Sequence, residues 1–99
     1  VIQVANVAIY YQKDGNESSE HAILDIKRLI QLLEIHHSIK GVFIDRNKES
    51  IQLMDLLSSP LSEIDFVYIN NPINNEFDKE LLNQLSRNEN FKIKYFDDI

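Results

Sequence analysis

Apolar positions along this chain switch repeatedly between strand-like and helix-like spacing. The stretch Val4–Tyr11 (VANVAIYY) is nearly continuous, β-branched and aromatic, which is the pattern of a strand covered on both faces in a parallel sheet. Lys13–Ser19 is polar with one glycine and reads as a loop. Ala22, Ile26, Leu29 and Leu33 then recur at helical spacing, flanked by Ile23, Ile30 and His37. Ser18 or Ser19 can cap that helix and Glu20 suits its first turn, so the pattern predicts a helix running to about His37 or Ser38. Gly41–Asp45 (GVFID) follows as a short buried strand closing on an acid.

A second helix is predicted over about Lys48–Ser58, with Ile51, Met54 and Leu57 as its apolar stripe, Leu53 and Leu56 beside it, and Ser58-Ser59-Pro60 as its stop. Phe66–Asn70 (FVYIN) reads as the third strand, and Asn70–Asn75 as a loop, because Asn and Pro favour turns. The third helix, about Glu76–Arg87, has Asn75 as its cap and Phe77, Leu81 and Leu85 as its apolar line. Phe91–Phe96 alternates as a half-exposed strand, with Lys92 and Lys94 on the face that would discourage edge-to-edge pairing. Tyr10, Tyr11, Tyr68 and Tyr95 fall in strands and read as core or sheet-face aromatics. The order β-α-β-α-β-α-β implies a parallel sheet with right-handed crossovers and helices on both faces.

Composition narrows the function classes. The 99 residues fit one domain, 1–99, and 43% hydrophobic against 26% charged residues is a globular balance. Cysteine is absent, which excludes disulfides and thiolate chemistry and is compatible with a cytoplasmic home. No apolar run approaches the roughly 20 residues needed to span a bilayer, and the apolar start carries no basic leader. The chain opens on Val1, as a trimmed fragment of a longer protein would. Net charge is −6; residues 1–50 hold six Lys/Arg against seven Asp/Glu, and residues 51–99 hold four against nine. Nucleic-acid affinity comes mainly from cations that displace phosphate counterions, so this domain alone is a poor nucleic-acid binder.

Several strings resemble the N-terminal catalytic domain of the serine recombinases, the resolvase/invertase family. Val7-Ala8-Ile9-Tyr10-Tyr11 is similar to that family's opening strand, the strand ending in Asp45 to its second, and Lys48–Leu57, with its paired Leu56-Leu57, to its second helix. Asp65–Asn70 and Phe91–Phe96 are similar to its third and fourth strands. The resemblance implies a three-layer sandwich with a four-stranded parallel sheet in the order 2-1-3-4, resolvase-like or flavodoxin-like.

The departures concern the catalytic positions. The family's first strand runs Tyr, any residue, Arg, any residue, Ser, and the Ser attacks the DNA phosphate; the matching positions here are Tyr10, Tyr11, Gln12, Lys13 and Asp14. The nearest serines, Ser18 and Ser19, fall where the first helix begins. The loop after the third strand, Asn70–Asn75, has none of the family's phosphate-clamping arginines, and Arg46–Ser50 replaces its Ser-Gly pair. Phosphoryl transfer needs positioned positive charge, so the resemblance implies a degenerate, non-catalytic copy.

In an open parallel sheet ligands sit beyond the carboxyl ends of the strands, where strand order reverses. The candidate crevice there is Gln12, Lys13, Asp14, Asn16, Asp45, Asn70 and Asn71. Asp14 and Asp45 do not match the acids that hold Mg²⁺ in a receiver domain, and His21, His36 and His37 show no zinc-ligand spacing, so neither a metal nor a cofactor is expected. The two glycines, Gly15 and Gly41, are too far apart for a dinucleotide or phosphate loop, and no G-x-S-x-G string occurs. The sequence therefore points to a protein-binding or accessory module of mobile-element origin. Its partner would be a protein with a basic face or another subunit, and its acidic second half the contact surface. Two alternatives stand beside this: a small-ligand or hydrolytic domain using the crevice, and a divergent receiver-like signalling module.

Overall fold

The computed structural model of the protein describes residues 4–98. The reading of the leaderless start falls in part on Val1–Gln3, outside the described residues. Four strands, β1 (Ala5–Gln12), β2 (His37–Asp45), β3 (Phe66–Ile69) and β4 (Lys92–Tyr95), form one sheet in the order β2-β1-β3-β4 with every pairing parallel. Helices α1 (Ser19–Leu33), α2 (Ile51–Leu57) and α3 (Glu76–Glu89) connect them. The expected parallel α/β sandwich, with its strand order, is the fold of this chain.

Alternation along β1 divides the core. Ala8 and Tyr10 face Leu53 and Leu56 of α2 and Leu82 of α3, with Val67 and Ile69 of β3 alongside. Val7, Ile9 and Tyr11 face the opposite layer, made by Ala22, Ile26, Leu29 and Leu33 of α1. The helical stripe read for α1 is thus its buried face. Ser18 caps α1 by accepting the His21 N–H at 3.1 Å, and Asn75 caps α3 by accepting the Asp78 N–H at 3.0 Å.

Three expectations are corrected. The first helix ends at Leu33, and His37 opens β2. The first residues of β1 need a hydrogen-bonding neighbour, and His37, Ser38 and Ile39 supply it opposite Ala5, Asn6 and Val7. The His37 imidazole still serves the helix end, with Nδ1 2.9 Å from the Leu33 carbonyl. Gly41 therefore lies inside the strand, at a bulge where the register shifts beside Val7/Ala8; a Cβ there would meet the Phe43 ring at 2.8 Å.

The second and third corrections share one cause. Ile51 of α2 and Phe77 of α3 are exposed (64% and 73%), whereas Leu53, Leu56, Asp78 and Leu82 are buried. A buried acid sets the rotation of each helix. Asp45 accepts the N–H groups of Gln52 and Leu53 at 2.8 and 3.0 Å, which turns Leu53 toward the sheet. Asp78 accepts the Ser50 hydroxyl at 2.6 Å, which turns its side of α3 inward and Phe77 out.

Candidate functional site

Adjacent residues of a strand point to opposite faces. Tyr10 and Tyr11 accordingly carry their hydroxyls into different layers near the carboxyl end of β1, and each meets a carboxylate. Tyr10 donates to Asp45 Oδ2 at 2.7 Å. With the two α2 amides, Asp45 then accepts three hydrogen bonds from its own chain and is 3% exposed. Its side chain is committed to the start of α2, so the structure removes Asp45 from the open crevice in which the sequence placed it. Ser50, the nominal cap residue of α2, makes no side-chain cap bond, which is why an acid six residues upstream of the helix serves instead.

Gln12 and Asn70 also change role. The Gln12 N–H donates to Asn70 Oδ1 at 3.0 Å, and Asn70 Nδ2 donates to the Gln12 carbonyl at 2.9 Å. This reciprocal pair ties the end of β1 to the loop after β3, where an open fissure was expected. Gln12 Nε2 donates to the Glu49 carbonyl at 3.0 Å. The Lys13 N–H donates to the Asp45 carbonyl at 2.9 Å, and Lys13 Nζ lies 3.0 Å from the Ser19 hydroxyl.

The expected single crevice is thus split. A cleft of about 650 Å³ opens on the α1 side, lined by Asp14, Asn16, Asn70 and Asn71 from the expected set, with Tyr11, Glu17, Ser18, His21, Asp25, Phe96 and Asp97. Gln12, Lys13, Asp14 and Asn71 line a neighbouring recess of about 360 Å³ with Asn47, Pro72 and Asn74. On the α2–α3 side, Tyr10, Gln12, Ser50 and Asp78 border a third recess of about 340 Å³.

Charge in the larger cleft is one-sided. Asp14, Glu17, Asp25 and Asp97 bring four carboxylates, and its described lining holds no Lys or Arg. The Tyr11 hydroxyl donates to Glu17 and lies 3.2 Å from Asp25 Oδ2. Burial raises the Tyr11 phenol well above the ordinary tyrosine range, and the two carboxylates raise it further, so it remains a donor. Burial also pushes Glu17 up, but bonds from Tyr11, His21 and the Asp14 N–H outweigh it and hold Glu17 below the usual carboxylate value. Tyr11 packs against Phe96 at 5.7 Å between ring centroids, giving the cleft an aromatic wall.

The grouping of Glu17, His21 and Asp25 was not anticipated. Their donor atoms all lie within 4.8 Å of one another. Part of the signal was present in the sequence: His21 and Asp25 are spaced by four on one side of α1, and Glu17 joins them from the loop just before the Ser18 cap.

These features define an α/β parallel-sheet domain with an anionic cleft at the carboxyl end of its central strand. No protein-family model matches the chain, and no curated protein matches it. No helix among the described residues is long and apolar enough to cross a membrane.

Proposed function

We propose that this is a non-catalytic, recombinase-like domain of mobile-element origin, working in the cytoplasm as a protein-binding accessory module. One observation carries the reading: among the described residues, four carboxylates and no Lys or Arg line the 650 Å³ cleft at the strand ends. Such a surface repels a phosphodiester and attracts a basic protein segment. The Tyr11–Phe96 wall beside the acids suits a guanidinium, which pairs with carboxylates and stacks on aromatic faces. The partner is therefore an arginine-bearing segment of another protein or of a second subunit. The sequence directed attention to the acidic second half, yet three of the four cleft acids, Asp14, Glu17 and Asp25, come from the first.

The engagement of nearby groups also supports a non-catalytic role. Ser18 caps α1, Ser19 Oγ is paired with Lys13, and Ser50 donates to Asp78, so these hydroxyls already serve the fold. Commitment of Asp45 to α2 and of Asn70 to Gln12 weighs against the hydrolytic and receiver-like alternatives.

The test is an amide chemical-shift titration of the full chain with an arginine-rich peptide, in the presence of a chelator. Shifts should concentrate at Asp14, Glu17, Asp25, Asn71 and Asp97 and weaken at least several-fold in the Asp14→Asn/Asp97→Asn double variant. Absence of binding, or shifts confined to α2 and α3, would defeat the reading.

A further inference from the structure

We propose that Glu17, His21 and Asp25 form a binding site for one divalent transition-metal ion, with Zn²⁺ as the best fit. This goes beyond the basic-partner reading and does not depend on it.

Geometry comes first. His21 Nδ1 lies 2.6 Å from Glu17 Oε2 and 4.0 Å from Asp25 Oδ2. A tetrahedral zinc ion, with bonds of about 2.0 to 2.2 Å, holds its donors roughly 3.3 to 3.5 Å apart. All three donor atoms lie within 4.8 Å of one another, so small side-chain movements bring them onto one ion, with His21 and Asp25 one turn apart on α1 and Glu17 in the loop just before its cap. All three residues line the cleft, which leaves room for water or a partner's side chain as the fourth ligand.

Donor chemistry selects the class of metal. One imidazole nitrogen with two carboxylates suits Zn²⁺ and its neighbours, whereas Mg²⁺ favours an all-oxygen octahedron and retains its waters. An independent feature lies outside the three ligands. The buried Tyr11 hydroxyl has one proton but lies within hydrogen-bond reach of both carboxylates, donating to Glu17 and sitting 3.2 Å from Asp25. That hydroxyl orients the two ligand carboxylates from behind. The Glu17 side chain is nine-tenths buried and is fixed further by the Asp14 N–H, so one ligand is already held in place. On binding, His21 Nδ1 exchanges its contact with Glu17 for the ion, and its proton resides on Nε2 or leaves to solvent.

The experiment is calorimetric titration of the full chain with ZnCl₂, alongside the visible absorption spectrum with Co²⁺. Wild type should bind one ion per chain with micromolar or tighter affinity and give the intense Co²⁺ bands of a tetrahedral site. His21→Ala and Asp25→Asn should each weaken binding at least tenfold. Because His21 is 62% exposed, its variant should retain the fold, which amide spectra check. Tyr11→Phe should weaken binding several-fold, and His36→Ala/His37→Ala should leave it unchanged. No saturable binding by wild type, or full binding by His21→Ala, would overturn the site. The peptide titration runs with chelator present, so failure of zinc binding leaves the basic-partner reading standing and the reverse also holds.

Discussion

The two tyrosine–carboxylate sites at the end of β1 start from similar chemistry and reach different outcomes. On the α2–α3 face one carboxylate, Asp45, receives three donors, Tyr10 and the amides of Gln52 and Leu53. On the α1 face two carboxylates, Glu17 and Asp25, stand about one phenol and one imidazole, with the Asp14 N–H at the far oxygen of Glu17 and Arg28 at 3.8 Å from that of Asp25. The first site is closed and structural. The second is held by an exposed imidazole as well as by the phenol and opens onto a cleft. Asp45 and Glu17 each accept three hydrogen bonds, so what distinguishes the acid that builds the fold from the one able to receive a ligand is the kind of donor: two of the Asp45 donors are backbone amides of α2, whereas one of the Glu17 donors is the exposed His21 imidazole, which can swing away.

The largest expected effect tests the closed site. Asp45→Ala strips the acceptor from the Tyr10 hydroxyl and the first turn of α2 and should cost about 3 to 5 kcal/mol in urea unfolding. Glu17→Ala should cost only about 1 to 2 kcal/mol, because its donors keep access to the cleft. Equal losses would erase the distinction.

Helix rotation gives the next test. If Asp45 turns α2, Leu53→Ala and Leu56→Ala should each lose about 2 to 5 kcal/mol. Ile51→Ala and Phe77→Ala should stay within about 0.5 kcal/mol, as exposed positions do. The reverse order would restore the stripe read from sequence.

Alkaline pH sharpens the comparison with a smaller effect. Burial raises the Tyr10 phenol far above its usual value, and its bond to Asp45 and the charges of Asp45 and Asp78 raise it further. A phenol raised in the folded state contributes stability that is full below the unfolded value near 10 and is lost as pH rises above it. Urea unfolding at pH 9, 10 and 11 should therefore show stability falling, with Tyr10 contributing at most about 1.4 kcal/mol per pH unit. Tyr10→Phe should remove that share of the slope, and an unchanged slope would count against the buried Tyr10–Asp45 bond.

Much of the architecture was legible because its signals are local. The continuous apolar run of β1, the capping residues Ser18 and Asn75 and the α1 stripe each report on their own segment. The rotation of α2 was not legible. Its seven residues make about two turns, and Ile51/Met54/Leu57 and Leu53/Leu56 are equally apolar rows until a carboxylate six residues before the helix selects one. The start of β2 was misplaced for a related reason: His37–Ile39 joins the sheet only because the first residues of β1 need a partner. Of the expected crevice residues, Asp14, Asn16, Asn70 and Asn71 share the cleft, while Asp45 is drawn inward by amides that periodicity does not reveal.

The central claim is electrostatic, and supercoiled plasmid tests it most directly. The full chain, incubated with plasmid at low salt with and without Mg²⁺, should neither retard nor nick it, since the face that would handle a phosphodiester presents four carboxylates. Nicking by the wild type that disappears in Asp14→Ala would contradict the account.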